Sequence, residues 1–326
     1  MRHEYFLGVD GGQSSTTAMI GDDTGRIIGL GRGGPCNHVG ASEGRAKFVV
    51  AMQSSLHAAC AQAGLQPGTS AESVCFTGAC LGFSGGPADK ESILKELLQS
   101  QRVLVTDDAQ IALIGATAGE PGVVVIAGTG SIAFGRNSEG RTARAGGWGY
   151  LFGDEGGGFW IARQALRASL GMEEGWGIPT SLRARLVDAA GTRSINDLLH
   201  RCYTPEFPRP RVAGLSVLVN HAAESGDQVA LEILNTAARE LASLTIAVRR
   251  LLFAKGEPAL ATYSGGVFGS RILLGRFRDW MAAEEGVRVT PPVFPVDGPA
   301  IGALLEAYRS GAKVIPELRY PRSVLP

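Results

Sequence analysis

One short unit occurs twice in this chain. An apolar strand runs into a glycine-rich turn, and two more strands follow. The first copy, Leu7 to Gly33, reads LGVDGGQSSTTAMIGDDTGRIIGLGRG; the second, Val123 to Gly158, reads VVVIAGTGSIAFGRNSEGRTARAGGWGYLFGDEGGG. A continuous apolar run such as Val123–Ala127 reads as a strand covered on both faces. A repeated supersecondary unit predicts two similar domains, and 326 residues suit two domains better than one. Each turn mixes glycines with hydroxyl residues: Gly11, Gly12, Ser14, Ser15 and Thr16 in the first, Gly128, Thr129, Gly130 and Ser131 in the second. Such turns gather backbone N–H groups in one concavity, which suits an anion. GTG alone describes a plain tight hairpin equally well. Two glycine turns in matched context point further, to a polyphosphate gripped from both sides. The copies differ at one telling place: Asp10 precedes the first turn, and Ala127 stands at that point in the second.

The remaining candidates are polar groups at strand ends. Asp10, at the end of strand Tyr5–Asp10, can hold Mg²⁺ directly or through water, or can simply start a turn. Asn37, in a Gly/Pro loop, can meet a sugar hydroxyl or amide, or close an Asx turn. A strand over Ser73–Thr77 is expected to end at Thr77-Gly78-Ala79, and an amphipathic helix to cover Ala88–Gln99. The strand Gln101–Thr106 runs into Thr106-Asp107-Asp108-Ala109 and a helix over Ala109–Ala118. One of these aspartates is expected to cap the helix and the other to face a cleft, where it can take the proton from a hydroxyl attacking a phosphoryl group. In Gly153–Gly158, beside Trp148, Asp154 and Glu155 read as acceptors for sugar hydroxyls, or as a cap and capping acid. Gly265 and Gly266, between a strand and a helix, leave room for a flat ring such as adenine. Helices are expected over Ser42–Ala63, Phe159–Leu170, Ser181–Cys202, Val212–Ser225, Asp227–Phe253 and Ser270–Ala283. A last helix starts at Asp297–Ala303, where small residues permit close packing at a domain hinge.

Composition excludes several classes. Lys plus Arg number 31 and Asp plus Glu 31. With no basic stripe, nucleic acid is not an expected partner. Five scattered cysteines without CxxC or zinc spacing predict reduced thiols in a cytoplasmic protein. No apolar run approaches about 20 residues, and MRHEYFLGVD lacks a signal-peptide core, so no membrane association is expected.

Together these segments resemble the sugar-kinase, actin and heat-shock ATPase superfold, specifically the N-acetylglucosamine kinase-like branch of the BadF/BadG/BcrA/BcrD ATPase family. The most specific block is Gly146-Gly147-Trp148-Gly149-Tyr150-Leu151-Phe152-Gly153-Asp154-Glu155-Gly156, similar to the amino-sugar kinase signature. The resemblance implies an α/β fold of two ribonuclease H-like (actin-like ATPase) domains with a cleft between them. They would cover 1–117 and 118–311, with about 312–326 packing back on the first. It implies ATP and Mg²⁺ as cofactors, a homodimer, and phosphorylation of an amino sugar, first N-acetylglucosamine on its 6-hydroxyl, with N-acetylmuramate or glucosamine as alternatives. An ATPase activator of an acyl-CoA dehydratase or reductase is the rival within the family. Carried over residue by residue, the nucleotide would meet Gly11, Gly12, Ser14, Ser15, Thr16, Gly128, Thr129, Gly130, Ser131, Gly265 and Gly266. The sugar would meet Asn37, Thr77, Gly78, Asp108, Gly147, Trp148 and Asp154. Asp10 would serve the metal, and the base would be Asp108, the aspartate directly before Ala. Gln13, Asp107 and Gly157 depart from the usual pattern.

Overall fold

A computed structural model describes residues 3–36, 44–86, 90–311 and 316–319. The chain divides into two compact units. One runs from the start of the chain to Glu120 and resumes at Pro291; the other is Pro121–Thr290.

The first unit opens with an antiparallel meander, β1 (Tyr5–Gly11), β2 (Thr16–Asp22) and β3 (Ile27–Gly33). α1 (Gly44–Ala63) lies directly on β3, because every second residue of that strand is glycine. A Cβ on Gly29, Gly31 or Gly33 would stand 2.0–2.3 Å from the carbonyl oxygens of Ala59, Ser55 and Ala51. Two strand residues advance about 7 Å and four helix residues about 6 Å, so the two stripes stay in step over three contacts. Next come β4 (Cys75–Phe76), β5 (Gly78–Phe83), α2 (Glu91–Lys95), β6 (Gln99–Ser100), β7 (Val103–Asp107) and α3 (Asp108–Thr117). The sheet order is β3-β2-β1-β5-β7, with β5 parallel to both β1 and β7. The helix expected over Ala88–Gln99 is the short α2. Gln99 and Ser100 leave it to pair with β4; of Ile93, Leu94, Leu97 and Leu98, expected to point inward, Leu97 is half-buried and the other three are buried.

The second unit repeats the plan. β8 (Gly122–Ala127), β9 (Ser131–Arg136) and β10 (Thr142–Gly146) form the meander, and α4 (Gly158–Glu173) follows. The stretch Ser181–Cys202 is two helices, α5 (Leu182–Ala190) and α6 (Ile195–Cys202). Gly191 closes α5 at φ 62°, and Ser194 caps α6 by accepting from Asp197 N. The stretch Val212–Ser225 likewise divides, into α7 (Arg209–Gly214) and α8 (Ser216–Glu224). α9 (Gln228–Leu252) buries Leu234, Ala238, Leu241 and Val248 against β8 and α4. β11 (Ala259–Ser264), a short 3-10 turn (Gly266–Gly269), α10 (Arg271–Met281) and β12 (Val287–Val289) complete the unit. Its sheet order, β10-β9-β8-β11-β12, matches the first: a meander extended by two parallel strands.

α11 (Gly298–Gly311) belongs to the first unit, whereas the sequence-based boundary of 118–311 groups it with the second. Its small residues explain the difference. A Cβ on Gly8 of β1 would lie 2.3 Å from Leu304 N, and one on Gly302 would lie 1.9 Å from Ile111 O of α3. The helix is therefore pressed backbone to backbone onto β1 and α3. Arg319 also joins this unit, in a β-bridge to Arg26.

Candidate functional site

In the first unit, parallel pairing aligns three strand ends. Gly11 of β1 faces Phe83 of β5, and Phe83 faces Asp107 of β7. Asp10, Ser84 and Asp108 are thereby gathered at one end of the sheet. Ser84 Oγ donates to Asp108 Oδ2. Asp107 is exposed and makes no side-chain capping bond, so the two aspartates are distinguished: Asp108 is the one fixed within the cluster. Asp297, just before α11 at φ 52°, is a third carboxylate at this place. Arg32 donates to its Oδ1 at 2.6 Å and to Thr17 Oγ1 at 2.6 Å. Burial, then the charges of Asp108 and Asp297, push the Asp10 carboxyl up to about 7, against the opposing pull of Arg32. This end of the sheet thus has more negative charge than its arginine neutralises, which suits a cation.

The first glycine turn is closed by Gly12 N donating to Ser15 O at 3.0 Å, and Gln13, Ser14 and Ser15 are exposed. Thr16 departs from expectation. It is buried, its hydroxyl donates to Gly34 O at 2.7 Å, and Cys36 Sγ lies 3.0 Å away, so it is not free for a phosphate. Thr77 and Gly78 depart further. Gly78 opens β5 rather than ending a strand, and it pairs with Phe6 at the opposite end of β1 from Asp10. Its glycine serves packing, since a Cβ there would meet Ala307 O of α11 at 2.4 Å. These two residues are not part of the Asp10–Asp108 cluster. Asn37 lies outside the described residues.

In the second unit the turn between β8 and β9 is buttressed by the block after β10. Gly128 N donates to Gly130 O at 3.0 Å, and α4 is tied on by Gly158 N to Gly128 O at 2.8 Å and Phe159 N to Thr129 O at 3.0 Å. The N–H groups of Thr129 and Gly130 donate to nothing among the described residues. Ser131 is committed elsewhere than expected: its hydroxyl donates to Glu155 O at 2.6 Å and its N–H to Asp154 Oδ1 at 3.3 Å. Asp154, buried and at φ 63°, has its Oδ2 paired with Arg209 Nη2. The expected sugar acceptor therefore also braces the turn. Gly147 N donates to Ser131 O at 3.0 Å, and Trp148 is exposed with the Arg144 guanidinium 4.7 Å from its ring centroid. Gly265, at φ 98°, closes on the end of β8, where a Cβ would meet Ala127 O at 2.4 Å; beside Gly266 there is open space.

Each unit thus carries a glycine turn after the first strand of its meander, with an acid beside it: Asp10 in the first and Asp154 in the second. The family model of the BadF/BadG/BcrA/BcrD ATPase family matches residues 7–307. This chain belongs to that family. It is 33% identical over 285 residues to the N-acetylmuramic acid/N-acetylglucosamine kinase of Clostridium acetobutylicum, covering 85% of this chain and 90% of the relative. It is 33% identical over 276 residues to the N-acetyl-D-glucosamine kinase of Dictyostelium discoideum, covering 82% and 86%. A solved structure from Chromobacterium violaceum, provisionally named an N-acetylglucosamine kinase, superposes with TM-score 0.75 at 27% identity, over 93% of this chain and 98% of that one. A ROK family glucokinase from Streptomyces griseus shares the fold at TM-score 0.57 and 16% identity, over 94% of this chain and 99% of that one. The actin-like ATPase fold that the family resemblance implied is the observed one.

Sequence reading alone missed Ser84, Arg32 and Arg209. Ser84 sits in a Ser-Gly-Gly loop after a buried strand, a signal resembling the two glycine turns. The two arginines had no local signal, because their carboxylate partners lie 265 and 55 residues away.

Proposed function

We propose that this chain is an ATP-dependent hexosamine kinase that transfers the terminal phosphoryl group of ATP to an amino sugar, first N-acetylglucosamine at its 6-hydroxyl. The observation that carries this reading is Asp108. Its Oδ2 is held by Ser84 at the start of α3, and its Oδ1 accepts no hydrogen bond among the described residues. In a chain resembling two amino-sugar kinases, that free oxygen is suited to accept the proton of the attacking hydroxyl.

The residues fit a nucleotide and a cation. In the second unit the unpaired N–H groups of Thr129 and Gly130 suit phosphate oxygens, and in the first unit the Gly11–Ser15 turn is suited in the same way. Gly265 closes the turn and Gly266 leaves space suited to adenine. The carboxylates around Asp10 form no closed metal cage among the described residues. That suits Mg²⁺ carried in with the nucleotide and held by Asp10 with water and phosphate. When bound, the Mg²⁺–ATP pair supplies the phosphoryl group and neutralises its developing charge. Asp154, Gly147 and Trp148 are proposed to contact the sugar, with Asp154 offering lone pairs not used by Ser131 and Arg209. Cytoplasmic location and a homodimer belong to the same proposal; no helix among the described residues is long and apolar enough to cross a membrane.

The redox-activator reading is disfavoured by where the cysteines lie. Cys36 contacts Thr16, Cys60 is in α1, Cys75 in β4, Cys80 in β5 and Cys202 in α6, and no group of three or more His, Cys, Asp or Glu among the described residues could hold a metal. The test is ATP consumption by the purified protein with N-acetylglucosamine, N-acetylmuramate, glucosamine or N-acetylmannosamine. Stimulation by at least one amino sugar is expected; stimulation by none refutes the proposal.

A further inference from the structure

Asp154 places a deeply buried negative charge against the second glycine turn, where its Oδ2 would be 2.4 Å from a Cβ on Gly130. Left alone, that charge would repel any phosphate approaching Thr129 and Gly130. Arg209 counters it. Its Nη2 donates to Asp154 Oδ2, and its guanidinium lies over the Tyr150 ring, 5.2 Å from the centroid. Arg209 Nε is buried without a hydrogen-bond partner among the described residues. A guanidinium that leaves one donor unsatisfied in order to sit there is held by its carboxylate and its ring, not by a full set of hydrogen bonds. Pro208 precedes it as the cap residue of α7, which fixes the backbone from which the arginine reaches. Tyr150 is in turn packed edge-on against Phe159 of α4, whose N–H holds Thr129 O. Turn, acid, arginine and ring thus form one closed circuit.

We infer that Arg209 is a positioning residue for nucleotide binding: it neutralises and fixes the Asp154 carboxylate, so the second glycine turn presents its N–H groups to phosphate without a competing charge. The inference rests on the kinase reading only in assuming that this turn meets a nucleotide phosphate.

The test is calorimetric ADP binding in the absence of sugar. Arg209→Met leaves Asp154 charged beside the turn and should weaken ADP about tenfold or more, the scale of one unpaired charge in a partly buried site. Asp154→Asn keeps an oxygen for Ser131 N–H but leaves Arg209 positive, so ADP affinity should hold or rise. The double variant is neutral again and should return to within about threefold of wild type, the coupling expected of a contacting pair. Arg209→Lys should stay in that range as well. A purely architectural role predicts instead that both single variants weaken ADP and that the double is no better. That pattern, or an Arg209→Met variant that binds like wild type, overturns the inference. If Arg209→Met does not fold, Asp154→Asn and the double variant decide the matter by the same criteria. A wild-type protein that binds no ADP overturns this inference together with the kinase reading, whereas wild-type binding with a failed charge pattern overturns this inference alone.

Discussion

Substituting Gly302 by alanine tests whether the close contact of α11 with α3 organises the first unit. The added Cβ would fall 1.9 Å from Ile111 O and 2.6 Å from Gly115 N. Both are backbone atoms, so no rotamer change relieves the overlap. Ordinary contact begins near 3.4 Å, so the helices would have to part by about 1.5 Å. That movement would loosen Ile111, Ile114, Ala303 and Leu304, all buried in one cluster. Overpacking of this kind costs about 3 kcal/mol, and alanine's better helix propensity returns about 1 kcal/mol. The net loss of about 2 kcal/mol should lower the urea midpoint of the first unit by roughly 1 M. Gly275→Ala is the control. Gly275 is exposed within α10 with nothing near its Cβ position, so only the propensity gain of about 1 kcal/mol remains. The two variants should move in opposite directions. Because α3 begins with Asp108 and Asp297 precedes α11, Gly302→Ala should also lower turnover in protein that is still folded. If Gly302→Ala is as stable as Gly275→Ala, the packing argument fails, and with it the reason given for assigning α11 to the first unit.

Asp108→Asn should bind sugar and nucleotide yet lose about 100-fold or more in turnover, measured by ATP consumption at saturating substrates. Ser84→Ala should lower kcat by about tenfold while moving the sugar KM little, because it frees the Asp108 carboxylate to misalign without touching substrate. For Asp10, the folded carboxyl titrates at about 7 and an unfolded one near 3.9, so between these values the folded state holds a proton that the unfolded state has lost, and stability falls as pH rises through that window. Asp10→Asn should therefore match wild type near pH 4 and be more stable at pH 8, by at most about 4 kcal/mol, as read by chemical denaturation at both pH values. Thr77→Val should leave the sugar KM unchanged, since Thr77 lies beside Tyr5, at the other end of β1 from Asp10.

What the sequence made legible follows from how local each signal is. The two meanders were readable because strand, turn and strand lie within some thirty residues and the leading strand of each copy has a continuous buried apolar stretch. α9 was readable from its single apolar stripe, and it begins and ends within one residue of the expected bounds. The Asp107–Asp108 pair could be located but not resolved from spacing. What sets Asp108 apart in the structure is the hydroxyl of Ser84, 24 residues upstream, a contact that depends on β5 and β7 being neighbours. Thr77-Gly78 was misjudged because a glycine at a strand end and a glycine under a helix look the same in sequence. Only α11, more than 200 residues later, shows that Gly78 is the second kind. The internal hydrogen bonds of Thr16 and Ser131 were hidden for a related reason. A hydroxyl beside a glycine turn can serve a ligand or the turn itself, and here Gly34 O and Glu155 O are closer at hand.

The two copies of the hairpin also show how a duplicated fold acquires unlike halves. In the first unit the strand ends in Asp10, and Asp108 and Asp297 add to its charge, so that the carboxyl of Asp10 is driven far above its usual range. One arginine, Arg32, answers only part of that charge through Asp297. In the second unit the equivalent strand ends in buried Ala127, and the acid that arrives from elsewhere, Asp154, is paired with its own arginine. The first turn is thus left electronegative and the second close to neutral, on the same backbone plan.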